Sequence, residues 1–296
     1  MIAWLLLACA TGESSLFFQE SWEVLAINND QSLLDIRFSR GNTGILKGQG
    51  QSRFDLVLGK EVPILYGRNA LPRDTEPTPE TGLAIGPDKI QQTPEGWDVQ
   101  FQSSELNARL TIQNQPNVET VQTRLSPSWQ VDAPSTLAHI EGFVHAGTRS
   151  SLINGQSVVL HRYGDDPPGL RGTTRVAAFV LHEDASLGVD QRGVNALAWA
   201  HTEGRSWNAE TAVVKRLSGG VVEMDYRPSA PIVARLEPGK SRLRRQPWEH
   251  LYGLERWLLG IARGVPDRRI RSATAEVRVG EASFRAPALI LVVDYR

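Results

Sequence analysis

Residues 96–112, Gly96-Trp97-Asp98-Val99-Gln100-Phe101-Gln102-Ser103-Ser104-Glu105-Leu106-Asn107-Ala108-Arg109-Leu110-Thr111-Ile112, hold the pattern on which the fold turns. Trp97, Val99 and Phe101 alternate with polar residues, and Leu106, Ala108, Leu110 and Ile112 do so again. A period of two is the signature of half-buried strands. The same period appears at Ile36 and Phe38 against Arg37 and Ser39, and at Phe54, Leu56 and Leu58. Further strand candidates lie at 138–146, 151–161, 174–182, 192–201, 206–216, 220–227, 271–279 and 283–294. Turn signals separate them, among them Asn28-Asn29-Asp30, Arg40-Gly41-Asn42, Glu95-Gly96, Ser218-Gly219-Gly220 and Gly280-Glu281. Asn154-Gly155 fits a two-residue hairpin, whose central positions both need positive φ. Many short strands joined by hairpins predict an all-β fold, an antiparallel sandwich or barrel.

The bulk numbers agree. The chain has 296 residues, 41% hydrophobic and 22% charged, which suits a packed globular body and excludes a disordered or fibrous one. A formal net charge of −1 gives no general attraction to nucleic acid. The single cysteine rules out a disulfide framework and a cysteine-built zinc site.

Three stretches depart from the strand pattern. Pro247 to Arg263 places Trp248, Leu251, Leu254, Leu258 and Ile261 on one face, which predicts an amphipathic helix over 247–263. Residues 67–96 are punctuated by proline and glycine and read as a long loop. Ser126-Pro127 to Pro134-Ser135 marks a mid-chain break and sets the expected domains: a tether at 1–15, an N-terminal unit at 16–133 and a C-terminal unit at 134–296. Asp30-Gln31-Ser32-Leu33 recurs in pattern as Asp184-Ala185-Ser186-Leu187, each between a predicted strand pair.

Familiar catalytic signatures are missing. Lys47-Gly48-Gln49-Gly50 lacks the third glycine and the helix of a dinucleotide fingerprint, and no Gly-x-Ser-x-Gly elbow or His-Glu-x-x-His occurs. His201-Thr202-Glu203 lacks the cysteines of a deaminase. The basic run Lys240 to Arg245 reads as a solvated loop. Polar side chains concentrate mid-chain instead. His139, Glu141 and His145 share one strand face with Phe143. His161, Arg162, Tyr163 and Asp165 follow within five residues. His161 is a candidate general acid or base, and Asp165 a candidate to orient it or to bind a polar substrate end. Trp199 and His201 share a face and are candidates to line the same cavity. These residue types also suit zinc or iron, but no metal or cofactor is assigned.

The N-terminus reads as an export signal. Met1 to Ala10 is apolar and too short to span a bilayer. Leu6-Leu7-Ala8-Cys9 matches a bacterial lipobox, in which Cys9 becomes lipidated. This predicts a lipoprotein of the bacterial cell envelope, anchored in the membrane and facing the periplasm or exterior.

Ser21-Trp22-Glu23 with two alternating strands resembles the opening of a lipocalin-like superfamily. That group includes carotenoid hydratases (hydroxyneurosporene synthases), AttH-type and tocopherol-cyclase-like proteins, and fungal pericyclases. Asn154-Gly155 through Leu160-His161-Arg162-Tyr163-Gly164-Asp165 is similar to a segment of that group leading to a histidine and a Gly-Asp. The end is similar too: a helix, Arg271 to Val277, a hairpin and a last apolar strand, Ala288 to Tyr295. The resemblance implies two lipocalin-like barrels packed together around an apolar cavity. Trp22, His145, Arg162, Tyr163, Trp199 and His201 are the candidate ligand-binding residues, and His161, Asp165 and Glu141 the candidate catalytic groups. The expected partner is an apolar small molecule, an isoprenoid, carotenoid or acyl lipid; whether the chain only binds it or also transforms it, by hydration, isomerisation or cyclisation, is left open by the residues. A carbohydrate-binding or structural β-sandwich lipoprotein is the alternative. Exposed, coplanar Trp97, Trp129 and Trp207 would favour sugar. Mass spectrometry of the mature protein is expected to show a lipid-modified Cys9; an intact Met1 in membrane-free cytosol would rule the anchor out.

Overall fold

The computed structural model describes residues 18–43, 46–59, 61–77, 82–116, 120–126, 129–165, 172–183, 185–193, 195–202, 204–207, 209, 211–227, 230–246, 257 and 265–296. Cys9, the tether at 1–15 and, apart from Trp257, the helix expected over 247–263 lie outside them. Among the described residues the regular structure is almost wholly strand, with short 3₁₀ turns at Pro72–Asp74 and Ser218–Gly220.

The first sheet has twelve strands. They are β1 (Phe18–Asn28), β2 (Leu33–Thr43), β3 (Leu46–Val57), β4 (Ile64–Ala70), β5 (Thr75–Pro77), β6 (Gly82–Ile85), β7 (Asp88–Thr93), β8 (Gly96–Gln102), β9 (Leu106–Asn114), β10 (Val121–Ser126), β11 (Trp129–Ala146) and β12 (Arg149–Asp165). The second has nine: β13 (Thr174–His182), β14 (Ala185–Arg192), β15 (Asn195–Thr202), β16 (Arg205–Trp207), β17 (Val213–Arg216), β18 (Val222–Asp225), β19 (Ile232–Arg245), β20 (Pro266–Val279) and β21 (Ala282–Tyr295). Among the described residues all strand pairings are antiparallel, and in each sheet the first strand pairs with the last, β1 with β12 and β13 with β21. Of the recurring Ser-Leu pairs, Ser32-Leu33 stands at the start of β2 and Ser186-Leu187 lies inside β14, at the start of the second strand of its sheet.

The first sheet curls until its ends meet. Gly50 on β3 has no room for a side chain, since a Cβ there would lie 2.2 Å from Thr75 Oγ1. Asp88 acts as a clasp: fully buried, it accepts hydrogen bonds from Ser52 Oγ at 2.6 Å, Arg68 Nε at 2.9 Å and the Gln102 backbone N–H at 3.1 Å. The second sheet also bends back on itself, and Gln191 on β14 accepts a bond from the backbone N–H of Val214 on β17 at 2.9 Å. Together these are two packed barrels, the first nearly closed and the second a half-barrel.

Each barrel buries its own core. Trp22, Phe38, Phe54, Trp97, Phe101 and Ile112 lie in the first, and Met224, Tyr226, Leu236 and an alanine-rich set lie in the second. The alternation at 96–112 is realised as β8 and β9, with the predicted residues inward. A third cluster joins the outer faces of the two sheets through Leu25, Val158, Leu160, Phe179, Trp199 and Leu291. Trp97 and Trp129 are therefore buried, and Trp207 is half-buried beneath Arg205, whose guanidinium carbon lies 3.9 Å from the ring centroid. That is an apolar interior, not a row of exposed sugar platforms.

Four local expectations change. The boundary expected at 133/134 falls inside β11, where Pro134 and Ser135 are absorbed by register shifts; the chain leaves the first sheet after Asp165. Asn154-Gly155 is mid-strand, not a hairpin. Gly155 is needed there because a Cβ would lie 2.2 Å from the Ile27 carbonyl oxygen of β1. Lys240 to Arg245 belongs to β19, with Leu243 and Arg245 buried against the first barrel. Residues 67–96 contain β5 to β7 and a 3₁₀ turn rather than one long loop.

The surface between the barrels is crossed by buried ion pairs. Arg268 donates to Glu23 and to both Asp35 oxygens, at 3.0 and 3.1 Å. Arg162 bridges Glu23 and Asp190, and Arg175 holds Asp190 through Nε and Nη2 at 2.7 and 2.9 Å. Arg245 reaches Asp55 at 2.9 Å. Burial alone would raise the Glu23 and Asp190 carboxyls, but the adjacent guanidiniums outweigh it, led by Arg268 for Glu23 and Arg175 for Asp190. Glu23 is held well below its ordinary value, and Asp190 is pulled down to about 2.

Arg268→Ala is expected to lower the unfolding free energy by about 3–5 kcal/mol in urea melts, because it leaves Glu23 and Asp35 charged and buried. Arg278→Ala, which breaks an exposed pair with Glu276, is expected to leave the midpoint nearly unchanged. Equal losses would contradict the interface role. The stability from Glu23 and Asp190 is present above their ordinary values of 4.5 and 3.8 and is lost as pH falls through the depressed ones. An acid titration should therefore show stability falling below about pH 4.

Candidate functional site

Strand alternation sorts β1 into two faces. Glu23, Leu25 and Ile27 point to the other barrel, while Trp22, Val24 and Ala26 point into the first. Glu20 shares the inward face, one step nearer the strand's start. In register, Trp22 lies between His161 on β12 and Phe38 on β2, and Glu20 between Tyr163 and Arg40. Asp132 on β11 is opposite His161. Pairing alone thus collects Glu20, Trp22, Arg40, Asp132, His161 and Tyr163 at one end of the first barrel.

His161 is the centre of this group. Its Nε2 is 3.0 Å from Glu20 Oε1, and its Nδ1 is 3.8 Å from Asp132 Oδ2. Its ring stacks on Trp22 at 3.7 Å between centroids and 7° between planes, and Tyr163 stacks on it at 4.9 Å. Arg40 donates to the other Glu20 oxygen at 2.5 Å, and Gln130 Nε2 donates to Asp132 Oδ1 at 2.9 Å. Below lies Trp97, its ring 4.8 Å from that of Trp22. The His161 side chain is 14% exposed and Asp132 10%, so the cluster lies half-buried at one end of the first barrel, here termed its mouth, above the packed apolar interior.

The electrostatics favour the charged ring. Burial by itself would lower the imidazole, but the Asp132 and Glu20 carboxylates outweigh it, and His161 titrates above its ordinary 6.5. Burial would likewise raise Glu20, yet its bonds to His161 and Arg40 hold it below its ordinary value. With His161 protonated, two carboxylates face one imidazolium and one guanidinium, and the group is neutral. The Nε2 proton is committed to Glu20. The Nδ1 atom, 3.8 Å from Asp132 Oδ2, lies beyond direct hydrogen-bond distance of it.

The expected site residues divide. His161, Tyr163 and Trp22 meet at the mouth. Asp165 ends the same strand, paired with Phe18, four residues past His161. Glu141 and His145 lie on the outer face of β11. Glu141 is more than half exposed, 3.9 Å from His139, and His145 bonds Ser150 Oγ at 2.6 Å. Arg162 points the opposite way from His161, into the ion pairs between the barrels. Trp199 packs between the barrels, with its Nε1 donating to Ser186 Oγ at 2.9 Å, and His201 lies on the same outward face near Ser206. Glu20, Arg40, Asp132 and Trp97 complete the mouth and were not singled out as site residues. A signal for Glu20 was present: it stands two residues before Trp22 and so shares its face.

No family model and no curated protein sequence matches the chain. Solved structures do match. CghA is 10% identical with a TM-score of 0.66, over 95% of this chain and 89% of that one. CghA with Sch210972 is 9% identical with a TM-score of 0.63, over the same shares. An AttH-like protein from Nitrosomonas europaea is 10% identical over 95% of this chain and 93% of its own, with a TM-score of 0.60. Kievitone hydratase from Nectria haematococca is 8% identical over 93% and 88%, with a TM-score of 0.55. These structures and this chain share one fold, two packed antiparallel β-barrels.

Proposed function

We propose that this chain is an envelope lipoprotein whose first barrel binds an apolar small molecule, and that His161 and Asp132 add water to it or remove water from it. The observation that carries this reading is an imidazole held between two carboxylates and stacked on an indole, at the mouth of an apolar barrel. The fold lends support, because one neighbour is a hydratase by name and another was solved with Sch210972. The interior supplies affinity through burial, about 25 cal/mol per Å² of apolar surface.

In the hydration direction, His161 Nδ1–H gives its proton to the ligand while Asp132 Oδ2 takes one from the attacking water. The hydroxyl joins one carbon of the double bond and hydrogen joins the other. Asp132 then holds the proton that His161 has lost. A water bridging their 3.8 Å separation returns it and restores the starting state. Glu20, itself fixed by Arg40, keeps the ring oriented and charged.

Native mass spectrometry of the purified protein is expected to show a retained or exchangeable apolar ligand; persistent failure with fatty acids, isoprenoids and quinones would remove the reading. His161→Gln and Asp132→Asn are each expected to lower kcat by about 10²-fold or more with little change in ligand affinity. Because the active form of His161 is protonated, kcat/KM should fall as pH rises through a value above 6.5. The stabilisation that His161 lends the fold has the same sign: present below 6.5 and lost as pH rises through the raised value. A rate that stays flat across that range would exclude His161 as the acid.

A further inference from the structure

Two indole N–H groups at the floor of the mouth have no acceptor. Trp22 is 4% exposed and Trp97 1%, and neither Nε1 has a hydrogen-bond partner. Indole nitrogen is a donor only, and buried donors in native proteins are normally satisfied. The same chain satisfies indoles elsewhere: Trp199 donates to Ser186 Oγ and Trp207 to Thr202 Oγ1, each at 2.9 Å. The contrast is local. Two unsatisfied indoles lie against each other, and one of them stacks on His161. Phenylalanine would fill a purely apolar core without this cost.

We propose that Trp22 and Trp97 are a donor pair for an oxygen atom of the ligand, and that the ligand is an apolar molecule whose double bond is conjugated to a carbonyl group. This rests on the reading of His161 given above and narrows its substrate class. An imidazolium matches carbonyl chemistry, because it is too weak an acid to protonate an isolated alkene. A conjugated carbonyl removes that demand. Water attacks the carbon β to the carbonyl, and its proton passes to Asp132. The electron pair of the double bond moves to form an enolate, whose negative oxygen the two N–H groups stabilise. His161 Nδ1 then delivers its proton to the α-carbon. The product is a β-hydroxy carbonyl compound, with atoms and charge balanced, and the reverse sequence is dehydration. Hydrocarbon polyenes offer no atom to these donors.

The test compares β-ionone with the matched hydrocarbon in which a methylene replaces the carbonyl, by calorimetric titration of the full chain. Wild-type protein is expected to bind the ketone at least about tenfold more tightly. Trp97→Phe, checked for a native circular dichroism spectrum, is expected to narrow that preference by weakening ketone binding alone. Equal affinities for the two probes in the wild type overturn the donor-pair assignment and leave the His161 reading standing. A ketone preference untouched by Trp97→Phe in a folded variant also overturns it. If neither probe nor any other apolar molecule binds, both fail. The wild-type comparison decides even if the variant does not fold.

Discussion

Where β1 lies between β2 and the second half of β12, the first sheet is buried on both faces, and the rest of the molecule follows from that. In an ordinary half-buried strand the residues between the apolar ones meet water. In β1, β2, β3 and β12 they meet the second barrel instead. Glu23, Asp35 and Asp55 are thus removed from solvent and neutralised by arginines, several of which arrive from the second sheet, while buried Arg162 is paired with Glu23 and Asp190. Such pairs give little net stability over an apolar replacement, but a mismatched partner is costly. They act as a template that admits one way of setting the barrels together, while Leu25, Leu160, Phe179 and Leu291 supply the apolar burial.

That same sheet builds the mouth. Each step along β1 changes sides, so Trp22 and Glu23 are neighbours in sequence with opposite duties. His161 and Arg162 divide in the same way on β12. Fixing one face against the second barrel fixes the register of the other. The inner cluster therefore depends on interface pairs that never touch it.

The period-two alternation made the strand-rich architecture legible, and the short cluster around His161 lies on the strand end where Glu20, Asp132 and Trp22 gather. What stayed hidden was whatever pairing assembles over long distances. Glu20, Asp132 and His161 are far apart in sequence and meet only when β1 and β11 flank β12. Trp199 and His201 carry alternation as convincing as that of Trp22, but nothing local says which side of the sheet is the inside. Asn154-Gly155 has the composition of a turn and serves a close approach of two strands. The basic run ending at Arg245 looks solvated because its acidic partner, Asp55, lies in the other barrel.

The mouth lies at the end of the barrel where the chain enters. Glu20 is the third residue of β1, and Cys9 precedes Phe18 by nine residues, a span of about 30 Å at most when fully extended. Whatever grips the N-terminus therefore grips the molecule beside its opening. Under the proposal that Cys9 carries an acyl chain, that reach would keep the His161 end of the barrel within about 30 Å of its anchor.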